Sequence, residues 1–171
     1  MRRSISWCIS LLLLTACHDR LHESPVPAGQ VSYTCDPVVV NQLMEQTTGQ
    51  STLETPGGYV RCHDRSKKMA GQAWGTGGLL LVHCLGSSPE YAAFDLACPY
   101  CYAQGGNMSE KLQRLEMKDD QQTALCHHCE SEFGAIFWGS PVPTAGPANQ
   151  ESYPLRQYKA NLVGSKLVVS N

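Results

Sequence analysis

Two pairs of cysteines, each with the spacing C-x-x-C, constrain the fold of this chain more than any other feature. The first pair is Cys98-Pro99-Tyr100-Cys101 and the second is Cys126-His127-His128-Cys129, with 24 residues between them. Two such pairs can supply the tetrahedral set of four sulfurs that zinc and a single iron prefer. Four thiolates also suit a 2Fe–2S cluster. We therefore expect the pairs to meet, with Cys98, Cys101, Cys126 and Cys129 as metal ligands.

Other uses of the cysteines remain open. The four thiols of the two pairs could form two disulfides, because exported proteins fold in an oxidising compartment. His127 and His128 are further candidate metal ligands, with exposed loop positions as the simpler interpretation. Cys62 and Cys84 end two strands predicted to be neighbours, which favours a disulfide between them over separate buried thiols. Cys35 has no assigned partner.

The N-terminus has the pattern of an export signal. Basic residues 2–3 precede an apolar run over residues 5–14, which is too short for a membrane-spanning helix of roughly 20 residues. Leu14-Thr15-Ala16-Cys17 resembles the lipobox of bacterial lipoproteins. The resemblance implies a signal peptide over residues 1–16, lipidation of Cys17 and attachment to a membrane of the bacterial cell envelope. His18 after the cysteine favours the outer membrane, and a plain secretory signal is the alternative.

The mature chain divides into a tether and one domain. Residues 17–30 are polar with two prolines, and they predict a tether that holds the domain off the membrane. In residues 31–171, short apolar runs separated by glycine, proline and serine predict an all-β sandwich or barrel. A brief helical turn is expected at 41–46, and the pattern at 109–120 is ambiguous. Strands are predicted at 38–40, 59–62, 79–84, 91–96, 157–162 and 166–169, the last two forming a hairpin.

Composition and motifs exclude several classes of function. Hydrophobic residues make up 42% of the chain, which excludes a disordered protein. The formal net charge of −2 is poorly suited to binding nucleic acid phosphates, so we expect no nucleic acid partner. The chain has no H-E-x-x-H, G-x-S-x-G or P-loop motif. We therefore assign no catalytic residues and expect a redox accessory or binding protein rather than an enzyme on its own.

Several segments around the cysteine pairs form a further pattern along the chain: 56–60, 93–100, 126–133, 146–148, Pro154, Leu155 and Tyr158. Through these segments, and in the same order, the chain from Pro56 to the C-terminus resembles a Rieske-type domain, particularly the variant found in small bacterial lipoproteins. The resemblance implies a β-sandwich or barrel base that carries a small cluster-binding subdomain of two loops. It also implies that residues 98–101 and 126–129 lie at the two loop tips and face each other.

The ligand residues depart from the Rieske pattern, in which C-x-H and C-x-x-H supply two cysteines and two histidines. Tyr100 stands at the first histidine position, Cys129 replaces the second, and Cys101 lies one residue beyond the usual ligand. Ser131 keeps a serine that hydrogen-bonds the cluster in many members, so Tyr100 and Ser131 are expected to support the ligands. Losing both imidazoles removes the source of the high Rieske potential.

Two interpretations of function follow. In the first, four cysteines hold a 2Fe–2S cluster or a zinc ion, and the domain is an electron-transfer module with an unknown redox partner. In the second, the fold has lost its cluster, is held by disulfides or structural zinc, and binds an unknown envelope protein.

Overall fold

The computed structural model describes residues 23–38, 53–105, 114–120 and 122–171. Within these ranges the protein is all-β with two short α-helices and two 3-10 turns (Arg65–Lys67 and Ile136–Trp138), which confirms the predicted fold class. The helices are α1 (Pro99–Ala103) and α2 (Gly146–Gln150). The strands are β1 (Val31–Cys35), β2 (Tyr59–Cys62), β3 (Ala73–Trp74), β4 (Leu79–His83), β5 (Tyr91–Asp95), β6 (Leu115–Met117), β7 (Ala124–Cys126), β8 (Glu132–Phe133), β9 (Gln157–Val163) and β10 (Lys166–Ser170).

Seven of these strands form one antiparallel sheet in the order β2-β4-β5-β9-β10-β1-β3. The hairpin of β9 and β10 turns through two residues, with Gly164 at φ +61°, a conformation that glycine adopts without strain. Strands from both ends of the order contribute Cys62 and Trp74 to one core cluster. The sheet therefore curls toward closure around that cluster.

The central strands β4 and β5 are buried on both faces. Leu79 and Leu81 belong to the cluster inside the curled sheet, whereas Leu80 and Val82 belong to a second cluster on its other face. This double burial explains why Leu79-Leu80-Leu81-Val82 is continuously apolar rather than alternating with polar residues. The second cluster joins the large sheet to the rest of the domain.

A separate three-stranded sheet, in the order β6-β7-β8, carries the second cysteine pair. It is attached to the large sheet where the amide of Leu115 donates to the carbonyl oxygen of Leu96 at 2.8 Å. An isolated bridge between Ala97 and Arg114 extends this attachment. The two sheets thus approach each other at the end of β5, directly before Cys98.

Two other predicted segments are partly described. Residues 23–30 of the predicted tether pack on the domain, because Val26 is fully buried and its carbonyl oxygen accepts a hydrogen bond from Arg156 Nε at 2.7 Å. The folded domain therefore begins before residue 31. The ambiguous segment 109–120 contains β6, and its residues 109–113 lie outside the described ranges.

Several predicted features fall on residues that are not described. The signal peptide over residues 1–16, Cys17 and the predicted turn at 41–46 lie outside the described ranges, as do residues 39–40 of the first predicted strand. Among the described helices, none has the length and hydrophobicity required to cross a membrane.

The predicted disulfide between Cys62 and Cys84 is not formed, and both residues are buried free thiols. Strands β2 and β4 are antiparallel with Cys62 opposite Leu79, so Cys84 lies five residues farther along, about 16 Å away at the spacing of a strand. A disulfide requires Cα atoms within about 7 Å. The two cysteines also belong to different core clusters, where they pack as small apolar side chains.

Candidate metal centre

The two C-x-x-C pairs lie on short, well-defined elements where the two sheets meet. Cys98 is the residue before α1 and Cys101 lies inside it; Pro99 begins the helix with a φ angle already suited to helical geometry. Cys126 ends β7, and the amide of Glu130 donates to its carbonyl oxygen at 2.8 Å, which closes the turn that carries Cys129. Each cysteine pair is thus held by one short element: the first by the start of α1, and the second by the turn that follows β7.

All four sulfurs converge on one point. Cys98 Sγ lies 3.5 Å from Cys129 Sγ, and Cys101 Sγ lies 3.7 Å from Cys126 Sγ. The four atoms all lie within 4.8 Å of one another. A tetrahedral ion with metal–sulfur bonds of about 2.3 Å separates its ligand sulfurs by about 3.8 Å. The four cysteines can therefore hold a metal ion.

The turn that carries Cys129 has a backbone conformation that glycine would favour. Glu130 has φ +59°, in the left-handed region. Glutamate at this position accepts backbone strain so that the chain can reverse directly after the fourth sulfur. The left-handed residue therefore lies directly after Cys129, whose sulfur is 3.5 Å from that of Cys98.

Burial makes four ionised thiolates unfavourable without a cation. Cys98, Cys101 and Cys126 are buried. Hydrogen bonding to Cys126 and Cys129, together with burial, raises the pKa of Cys98. Burial and the nearby charge of Cys126 raise the pKa of Cys101, and the pKa of Cys126 is also raised, chiefly by its hydrogen bond with Cys129. Three thiols therefore retain their protons at neutral pH until a cation replaces them.

Cys129 is the one sulfur whose ionised form is favoured. Hydrogen bonds from Cys126 and Cys98, followed by one from Ser131, lower the pKa of Cys129. Ser131 is fully buried, and its Oγ lies 3.1 Å from Cys129 Sγ. The same oxygen accepts a hydrogen bond from the amide of Ala148 at 3.0 Å, so the hydroxyl proton can be donated to the thiolate. The structure thus brings Ser131 into contact with one of the four sulfurs.

Backbone amides also point at the sulfurs. The amide of Cys101 lowers the pKa of Cys98, against the larger effects that raise it. The amides of Cys129 and His128 act in the same way on Cys126. These donors stabilise negative charge on sulfur and are available whether the centre holds an ion or not.

The other predicted residues of the site lie around the sulfurs rather than among them. Tyr100 is partly buried against the core cluster that contains the cysteines. His127 and His128 are exposed, and neither belongs to the group of converging ligand atoms. His127 Nε2 instead lies 3.3 Å from a carboxylate oxygen of Glu116 on β6. The structure therefore brings together the four cysteines and leaves the two histidines at the surface.

Asp95 is a structural residue that the sequence reasoning missed. Its buried carboxylate accepts hydrogen bonds from the amides of Thr76, Gly77 and Ala97 and from the Tyr158 hydroxyl, at 2.7–2.8 Å. Burial raises the pKa of Asp95, and the four donors oppose that rise. The carboxylate thereby fixes the glycine-rich turn at residues 75–78 against the segment that leads to Cys98. An acidic residue inside the apolar run 91–97 is the sequence signal for this role.

Comparison with known proteins gives no relative from which to transfer a function. The chain matches no protein-family model, no curated protein and no solved structure. Its function must therefore be argued from the geometry of the centre.

Proposed function

We propose that this protein is an envelope lipoprotein with a Rieske-like domain, whose four cysteines hold one tetrahedral zinc ion that stabilises the domain. The observation that carries the proposal is the mutual approach of all four sulfurs within 4.8 Å. That separation suits ligands of a single ion. Sulfurs bound to different irons of a 2Fe–2S cluster lie farther apart than two ligands of one ion, so the short separation supports a single ion over the cluster.

The position of the centre supports a structural role for the ion. Cys98 and Cys101 lie at the start of α1, which follows β5 of the large sheet, whereas Cys126 ends β7 of the small sheet and Cys129 lies in the turn after it. An ion bound by all four would crosslink the two sheets through the second core cluster, which contains Cys98, Cys101 and Cys126. Metal binding would contribute directly to the folding free energy of the small sheet. The domain would then act as a binding module, with no catalytic residues assigned.

Electron transfer through a 2Fe–2S cluster is the second candidate function. It is supported by the resemblance to Rieske domains and by the close approach of the two cysteine pairs. It requires the sulfur pairs to separate when the cluster is inserted. Iron and sulfide content distinguishes the two candidates.

Zinc affinity is expected to fall steeply as pH falls. Since the pKa values of Cys98, Cys101 and Cys126 are raised, zinc must displace their protons, whereas the lowered pKa of Cys129 favours its thiolate before zinc binds. We expect the release of about three protons per zinc at pH 7.5, and an affinity that weakens between pH 8 and pH 6. Calorimetry in buffers of different ionisation enthalpy measures this release. A pH-independent affinity would contradict the proposed ligand set.

The envelope location is proposed from the lipobox-like segment before Cys17 and the polar residues that follow it. If Cys17 is lipidated, its replacement by serine should move the protein from the membrane fraction to the soluble fraction or block its processing. Cys35→Ser is the matched control, because it makes the same chemical change within the folded domain. Unchanged fractionation of the Cys17→Ser protein would refute the anchor.

A further inference from the structure

A pocket of about 180 Å³ lies at the glycine-rich turn whose amides donate to Asp95. Its lining combines Trp74 and the turn at residues 75–78 with residues from two other segments, His63 and Lys68 from one and Arg114 from the other. None of these lining residues is acidic. The pocket is therefore a small concave surface with a concentration of hydrogen-bond donors and positive charge.

The local charge contrasts with that of the whole chain. The formal net charge is −2, yet four of the 13 lysines and arginines lie within residues 61–68. Of the basic residues in this region, Lys68 and Arg114 line the pocket, whereas Arg61 pairs with Glu116 at 3.7 Å. The run Arg61-Cys62-His63-Asp64-Arg65-Ser66-Lys67-Lys68 carries one acidic residue, and Asp64 Oδ1 is engaged by the amide and hydroxyl of Ser66. Such a concentration of positive charge raises the local concentration of anions.

One buried donor in the pocket has no partner among the described residues. Trp74 is 6% exposed, and its indole Nε1–H makes no hydrogen bond within the described part of the chain. An unsatisfied buried donor is unfavourable, and a ligand acceptor in the pocket that Trp74 borders would satisfy it. The carboxylate of Asp95 cannot be that acceptor, because its two oxygens are already occupied by four donors of the core.

We propose that this pocket binds a phosphate group, held by Arg114, Lys68, His63 and the indole N–H of Trp74. A guanidinium can bind two phosphate oxygens at once, and an ammonium adds a point charge at the rim. Donors that approach from separate segments suit a tetrahedral anion with acceptors on several sides. The site is independent of the proposed metal, since none of its lining residues is a cysteine of the centre.

The test is a calorimetric titration of the mature protein with inorganic phosphate at constant ionic strength. A titration with sodium chloride serves as the blank. We expect saturable binding of one phosphate per chain. Arg114→Gln and Trp74→Phe should each weaken binding about tenfold, because each removes a donor to a charged acceptor. Lys159→Gln is the matched control: it removes one exposed positive charge away from the pocket and should change affinity less than twofold.

Glycerol 3-phosphate provides a second arm that identifies the source of the phosphate group. Binding of both compounds supports a site for phosphate monoesters, and binding of inorganic phosphate alone supports a site for the free ion. Absence of saturable binding for both would overturn the proposal. Equal weakening by Arg114→Gln and Lys159→Gln would also overturn it, because the effect would then be one of total charge. Far-ultraviolet circular dichroism verifies that each variant is folded, and Trp74→Phe keeps an aromatic ring, though a smaller one, at the buried position.

Discussion

Replacing Cys126 by serine is expected to weaken zinc binding at least about 100-fold. Structural zinc sites contribute about 10–16 kcal/mol of binding free energy at neutral pH, so one of four thiolates accounts for about 3 kcal/mol. A serine hydroxyl stays protonated and cannot replace the thiolate. Cys126 is fully buried, 3.7 Å from Cys101 Sγ, which leaves little room for water to complete the ligand set. Competition with a chromophoric chelator measures the affinity.

Cys35→Ser is the matched control for this substitution, since Cys35 is a partly buried free thiol outside the four-sulfur group. Its zinc affinity should remain within about twofold of the unsubstituted protein. If Cys126→Ser binds zinc as tightly as the unsubstituted protein, the four-cysteine site is refuted. An equal loss of zinc affinity in Cys126→Ser and Cys35→Ser would indicate general destabilisation of the domain instead.

Replacing Asp95 by alanine is expected to lower the free energy of unfolding by about 3–5 kcal/mol, which is a large part of the stability of a domain of this size. The substitution leaves the amides of Thr76, Gly77 and Ala97 buried without their acceptor, together with the Tyr158 hydroxyl. The close packing of this turn makes rearrangement difficult, because a Cβ at Gly77 would lie 2.4 Å from the amide nitrogen of Ala97. Urea denaturation monitored by circular dichroism measures the change.

Tyr158→Phe provides a graded comparison, because it removes one of the four hydrogen bonds and keeps the buried ring. We expect a loss of about 1 kcal/mol for this variant. If Asp95→Ala costs no more than Tyr158→Phe, the carboxylate does not organise the turn as described.

The sequence predicts the positions of four strands of the large sheet closely. Strands β4, β5, β9 and β10 come from long apolar runs or from a hairpin signal, and each lies within one or two residues of its predicted position. The two C-x-x-C pairs predict a site because their spacing alone limits how four sulfurs can be arranged. Burial on both faces of β4 could not be inferred, since a continuous apolar run fits either a buried strand or a buried helix.

The features that the sequence did not predict depend on contacts between distant segments. Strand β1 mixes polar and apolar residues, and it is defined by pairing with β10 at the other end of the chain. Val26 belongs to the segment predicted to be a polar tether. Its carbonyl oxygen nevertheless accepts a hydrogen bond from Arg156, which is 130 residues later in the sequence. The predicted disulfide between Cys62 and Cys84 failed because strand register, which the sequence does not specify, separates the two cysteines.

Metal analysis of the purified mature protein, combined with its visible absorption spectrum, tests the central claim most directly. The proposed tetrahedral site predicts one zinc per chain, no visible absorption, and four thiols that become reactive only when a chelator removes the metal. Two irons with two sulfides per chain and visible absorption bands would contradict the zinc assignment and favour electron transfer. A metal-free protein with Cys98, Cys101, Cys126 and Cys129 in disulfides would contradict the metal centre itself.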